Sequence, residues 1–162
     1  MTPALPPDLP SPTRRSLLGG LGVASLAVGS LGLVSVRPAQ ASAQELAAAI
    51  RAFTGGVAPK TGRVKLDIEP LVENGNTVPI TVSVTSPMTA ADHVTRIAVF
   101  NELNPQREVI AMTLTPAMGQ AQIATRIRMA TTQQIVAVAQ MSDGSFWQHP
   151  VDVIVTLAAC IE

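Results

Sequence analysis

From Arg63 to Leu157, apolar residues recur at every second position in run after run, and turn-forming residues fall between the runs. In Arg63-Val64-Lys65-Leu66-Asp67-Ile68-Glu69 the alternation is strict, the pattern of a strand with one face in water. Ile80, Val82 and Val84 alternate with Thr81, Ser83 and Thr85 in a second strand, and residues 95–100 make a third. Ile110, Met112 and Leu114 mark a fourth. Ala121, Ile123, Ile127 and Met129 share one face of a fifth, with Arg126 and Arg128 on the other. Residues 134–141 are apolar on both faces, which predicts a central strand, and Val151, Val153, Val155 and Leu157 line the last. Asn74-Gly75-Asn76, Ser86-Pro87, Asn104-Pro105, Pro116 and Asp143-Gly144 punctuate these runs as turns. Met141-Ser142-Asp143-Gly144-Ser145 predicts a hairpin joining the last two strands. Pro150 has no N–H to give a ladder, so it implies an edge or a bulge. About seven short strands so spaced predict an all-β chain, an immunoglobulin-like β-sandwich. The antibody Cys–Trp–Cys pattern is absent, so the prediction concerns architecture alone.

Ahead of the strands, Leu46, Ala49, Ile50 and Phe53 fall at helical spacing and predict a short N-terminal helix over 45–53, stopped by Gly55-Gly56. With no Tyr, one Trp and three Phe, the core must be aliphatic.

The first 43 residues have a different character. A Pro-rich stretch ends in Thr13-Arg14-Arg15-Ser16, an apolar run extends from Leu17 to Val36, and Ala41-Ser42-Ala43 follows. Positive, apolar and small-residue regions in that order predict a signal peptide, and the arginine pair predicts the twin-arginine type, cleaved to leave a chain starting near Gln44. The alternative is an uncleaved membrane anchor, since twenty residues suffice to span a bilayer. The run is only mildly apolar, being mostly Gly, Ala, Ser and Val, which favours cleavage. The whole chain has 11 basic and 11 acidic residues, and loss of Arg14, Arg15, Arg37 and Asp8 leaves 8 against 10. Such a balance gives no basic patch for nucleic acid. After cleavage no membrane association is expected, and the periplasm is the expected location.

The chain has one cysteine, Cys160, third from the end. In an oxidising compartment a lone thiol is buried and inert, paired with another chain, or chemically used. The last strand pattern finishes near Leu157, so the residues beyond it are expected to project from the domain as an exposed, mobile arm. An enzyme nucleophile needs a fixed base and oxyanion donors. A thiol on an arm lacks both, but it suits a substrate tether that visits other proteins' active sites. The alternative is an incidental terminal cysteine, which when exposed is an oxidation liability.

The two histidines, His93 and His149, are far apart, and Cys160 has neither His nor Met after it. A cupredoxin-type copper site is therefore not expected, and no other metal or cofactor is predicted. His93 is expected at the surface before a strand and His149 near the edge marked by Pro150. Met88, Met112, Met118, Met129 and Met141 are expected to fill gaps in the aliphatic core. Arg126 and Arg128 make a solvated face or a contact for an anion or partner.

Several of these stretches together resemble the SoxY family of sulfur-oxidation carriers. They are Glu73-Asn74-Gly75-Asn76-Thr77-Val78-Pro79, Ser86-Pro87-Met88-Thr89, Thr125-Arg126-Ile127-Arg128 and Met141-Ser142-Asp143-Gly144-Ser145, in that order and followed by a C-terminal cysteine. The resemblance implies an immunoglobulin-like sandwich over 44–157 and an arm over 158–162. It also implies a heterodimer with a SoxZ-like subunit and covalent carriage of sulfur intermediates on Cys160, with no catalysis by the chain itself. A haem enzyme would load thiosulfate, and a hydrolase and a sulfur dehydrogenase would process the adduct.

The arm departs from the family's Gly-Gly-Cys-Gly-Gly. It reads Ala158-Ala159-Cys160-Ile161-Glu162, and so resembles the SoxY-related paralogues that carry that ending. Alanine and isoleucine narrow the backbone freedom that glycine allows. The side-chain and terminal carboxylates of Glu162 are expected to disfavour the thiolate and repel an anionic cargo. A structural subunit of a periplasmic oxidoreductase system, whose arm only docks into a partner, is the alternative function. A membrane-anchored module is a third, if the signal is retained.

Overall fold

The computed structural model describes residues 38–159; the predicted signal region before Pro38 and the residues Cys160, Ile161 and Glu162 lie outside the described residues. A helix, α1 (Pro38–Thr54), is followed by nine strands among the described residues: β1 (Lys60–Thr61), β2 (Val64–Asp67), β3 (Leu71–Val72), β4 (Val78–Val84), β5 (Val94–Asn101), β6 (Glu108–Thr113), β7 (Gln122–Ile127), β8 (Gln133–Met141) and β9 (Phe146–Val155). Every predicted strand is present. The two additions, β1 and β3, are two residues each, too short to show a period in sequence.

The strands form two sheets. The larger has the order β1-β9-β8-β5-β6, with β3 also on β9, and the smaller has the order β2-β4-β7. Their inner faces enclose an aliphatic core that includes Val64, Leu66, Val82, Ile97, Met129 and Ile135. Burial of each such side chain stabilises the fold by about 1.5–3 kcal/mol.

A second, smaller core explains why 134–141 is apolar on both faces. Helix α1 lies on the outer face of the larger sheet, where Leu46 packs with Ala98, Phe100, Val136, Val138 and Phe146. All three phenylalanines of the chain meet here, with Phe53 edge-on to Phe100 at 5.7 Å and to Phe146 at 6.0 Å between ring centroids. The buried side chains of the main core are aliphatic because all three phenylalanines gather at the helix, and Trp147 packs only partly buried against that core.

The helix begins earlier than its apolar spacing indicates. Residues 38–44 are small or polar and carry no periodic signal. Ser42 is nonetheless buried and donates to Glu102 Oε1 at 3.3 Å. Gly55 at φ 62° and Gly56 at φ 91° end the helix as expected, with the Gly56 N–H returning to the Arg51 carbonyl at 3.0 Å.

Pro150 lies opposite Val136 inside β9, between the stretches of β9 paired to β1 and to β3. Ile154 donates outward to the Pro70 carbonyl at 2.8 Å. Strand alternation turns the Pro150 nitrogen to that same side, where no ladder asks for a proton. The expected edge is thus a local gap along the outer side of β9.

The smaller sheet has three strands and leaves β6 partly uncovered. Met112 on β6 is consequently 42% exposed, and Met118, in the short 3-10 turn Pro116–Met118 that follows, is 51% exposed, whereas Met88, Met129 and Met141 are buried. The expectation that all five methionines fill the core holds for three of them.

Candidate functional site

The last strand ends at Val155, yet the next four residues do not project freely. Thr156 donates its N–H to the Val72 carbonyl at 3.0 Å and its hydroxyl to the Glu73 carbonyl at 3.0 Å. Leu157 and Ala158 are exposed, but Ala159 is buried. The expectation of an arm leaving the domain at Leu157 is therefore corrected: the chain is tied down through Ala159, one residue before Cys160. Ile161 and Glu162, like Cys160, lie outside the described residues.

Three backbone segments close a ring at this root. Gly75 N–H donates to the Leu157 carbonyl at 2.8 Å, Met129 N–H donates to the Gly75 carbonyl at 2.8 Å, and Ala159 N–H donates to the Met129 carbonyl at 3.0 Å. Each segment donates once and accepts once, so the polar groups satisfy one another in a crowded place.

Gly75 is required here for space. It is absent from the positive-φ residues, so its backbone suits any side chain. A Cβ on it would sit far inside contact distance of the Met129 oxygen, 3.0 Å from the Ala159 nitrogen and 3.1 Å from a Val155 methyl. That Cβ would wedge apart the bond that holds Ala159. The flanking Asn74 fixes the turn by accepting from the Asn76 N–H at 3.0 Å.

Met129 is held in turn by a buried amide network. Asn104 Nδ2 donates to the Arg128 carbonyl at 2.8 Å, and Asn104 Oδ1 accepts from the Ala130 N–H at 3.0 Å, so one side chain grips the backbone on both sides of Met129. Gln133 Nε2 donates to the same Oδ1 at 2.8 Å. The Asn104 N–H donates to Asn101 Oδ1 at 2.9 Å. All three amide side chains belong to buried residues. In the sequence Asn104-Pro105 reads as a turn, and nothing singles out Asn101 or Gln133. An uncharged amide at a position flanked by strand pattern is a weak signal. Gly75 stands out in the sequence only as part of the Asn74-Gly75-Asn76 turn and the stretch around it.

Arg126 lies in β7 opposite Pro79, and both Arg126 and Arg128 are exposed, as expected of a solvated face. Arg128 directly precedes Met129, so its cation stands on the segment that holds the arm root. His93 precedes β5, with Nδ1 3.0 Å from the Thr89 carbonyl. His149 does more than mark an edge: its Nδ1 accepts the Leu66 N–H at 3.0 Å, tying β2 of the smaller sheet to β9 of the larger. Among the described residues no three His, Cys, Asp or Glu side chains come together as could hold a metal ion. No helix among them is long and apolar enough to cross a membrane. What the described residues build at this end is the anchored root of the segment that leads to Cys160.

Comparison with known proteins agrees with this geometry. The family model described as sulfur oxidation protein SoxY matches residues 50–160, a span that ends on the cysteine. The fold is similar to the solved sulfur carrier protein SoxY from Chlorobium limicola f thiosulfatophilum, at 28% identity and TM-score 0.60, covering 71% of this chain and 99% of that one. It is also similar to a superoxide reductase (neelaredoxin) from Ignicoccus hospitalis, at 15% identity and TM-score 0.52, covering 58% of this chain and 80% of that one. At such identity the second likeness concerns the sandwich alone. No curated protein sequence matches the chain.

Proposed function

Because the chain belongs to the SoxY family of sulfur oxidation proteins, whose members are periplasmic, non-catalytic sulfur carriers, we propose that it carries sulfur intermediates covalently on Cys160. The observation that carries this reading is the family match running through the arm to Cys160 itself. Export through the twin-arginine signal of residues 1–43 delivers it to the periplasm. Cleavage after Ala43 falls within α1 and keeps Leu46, Ile50 and Phe53 on their sheet.

A carrier needs enzymes, because the chemistry is redox chemistry. Joining a thiol to thiosulfate forms one S–S bond and releases one proton and two electrons. An oxidoreductase must take the electrons. Hydrolysis of the outer sulfonate by water then gives sulfate and a proton and leaves a persulfide on the cysteine. A SoxZ-like subunit is the expected partner, and oxidoreductases and hydrolases act on the arm. The Ala-Ala-Cys-Ile-Glu arm and the buried Ala159 favour one further reading, in which the arm only docks into a partner and carries nothing.

Two experiments test the proposal. Co-expression with the SoxZ-like subunit is expected to yield a stable 1:1 heterodimer by sedimentation, and a persistent monomer would contradict that partnership. In cells quenched with acid, a fraction of Cys160 is expected to resist alkylation until reductant is added. Full alkylation without reductant, while sulfur oxidation runs, would leave only the docking role.

A further inference from the structure

We propose that Gly75 is a positioning residue that latches the arm root through Met129 and Ala159, and so sets how far Cys160 reaches from the domain. The ring consists of three backbone hydrogen bonds, Gly75 to Leu157, Met129 to Gly75 and Ala159 to Met129, of 2.8, 2.8 and 3.0 Å. While the ring is closed, the last tied residue is Ala159. The Cα of Cys160 is then about 3.8 Å beyond the tied one, the span of a single peptide. When the ring opens, the last tie becomes Thr156, held by Val72 and Glu73. Cys160 is then four residues on from the tie, a reach of about 13 Å when extended. The closed ring thus leaves the thiol one residue beyond its last anchor, and opening lengthens that tether so that it can enter a recessed active site.

The ring is suited to switching. Two of its three segments are rigid: Met129 is fully buried and gripped on both sides by Asn104, and Gly75 sits in the tight turn stabilised by Asn74. The third segment is the chain end. Its bonds are single backbone contacts, each worth about 0.5–1.5 kcal/mol net, so a partner gripping exposed Leu157 and Ala158 can exchange them for its own. Opening therefore moves the arm and leaves the sandwich intact.

The inference rests on the carrier reading only in taking Cys160 as the working thiol. Its test uses the purified full chain with no cargo, so it fails or succeeds independently of carriage. In the wild type the Ala159 amide is expected to exchange with solvent deuterium on the order of tenfold more slowly than an open tail amide, as a bonded but local site should. In Gly75→Ala that protection is expected to vanish, while amides of β5 and β8 stay protected. A bulky neutral maleimide is expected to label Cys160 several-fold faster in that variant. If Gly75→Ala fails to fold, Ala159→Pro removes the same donor at the chain end, where folding is not at stake, and is expected to raise Cys160 labelling likewise. Free exchange of the Ala159 amide in the wild type, or unchanged Cys160 labelling in both variants, would overturn the latch.

Discussion

Two turns of this chain look alike in sequence and are built for opposite reasons. Asn74-Gly75-Asn76 and Asp143-Gly144-Ser145 each place a glycine beside a small polar residue between strands. Gly144 has φ 81°, a left-handed conformation, and a Cβ there would meet nothing within 4 Å. It is needed for its backbone. Its hairpin closes on itself, with the Gly144 N–H to the Met141 carbonyl at 3.0 Å and Asp143 accepting from the Ser145 amide and hydroxyl at 2.8 and 2.6 Å. Gly75 has ordinary φ and no room. It is needed for the segments around it, one of which leads to Cys160. A turn glycine can thus be a local device or a point where distant parts of the chain meet, and only the packing distinguishes them.

Substitutions sharpen this contrast. Gly75→Ala has the largest expected effect, because a Cβ pressed against fixed backbone forces main-chain shifts of the kind that cost about 1–3 kcal/mol. Chemical denaturation reads that loss, and a loss near zero would show that the crowding at Gly75 is not real. Gly144→Ala is expected to cost about 1 kcal/mol through strain at positive φ, with Cys160 labelling unchanged. Gly144→Asn should recover most of that, since Asn tolerates the left-handed region. No such rescue is expected for Gly75→Asn, which adds a larger clash to the same gap.

The smallest expected effect concerns the hairpin's charge. The Ser145 hydroxyl, followed by its amide, holds the exposed Asp143 carboxyl below its ordinary value of 3.8. The folded state thus favours the charged form, and that contribution is present above pH 3.8 and lost as pH falls through the lower folded value. In Ser145→Ala the Asp143 titration followed by NMR is expected to move up toward 3.8, with no change at the arm. An unmoved titration would mean that Ser145 does not set it.

Much of the sandwich was readable because strand period and turn residues act locally. The alternation in 63–69 and 80–85 placed β2 and β4, and the doubly apolar 134–141 placed β8 at the centre. The helix covering its outer face accounts for that second apolar side. The first turns of α1 were not readable, since Pro38 to Gln44 has no apolar spacing and Ser42 is placed by tertiary contacts to Glu102. Nor was the arm root. The ring at Gly75, Met129 and Ala159 is made of backbone groups, which every residue possesses, and its support by Asn104 depends on contacts between loops far apart in sequence. The family resemblance flagged the Gly75 stretch as specific without showing its part in holding the arm.

The central claim is that Cys160 carries sulfur, and intact-mass measurement of the chain purified from its native periplasm tests it most directly. Sulfur-containing mass additions are expected on the wild type, lost on treatment with reductant and absent in Cys160→Ser. A bare thiol in every sample, taken while the cells are oxidising reduced sulfur, would contradict the account.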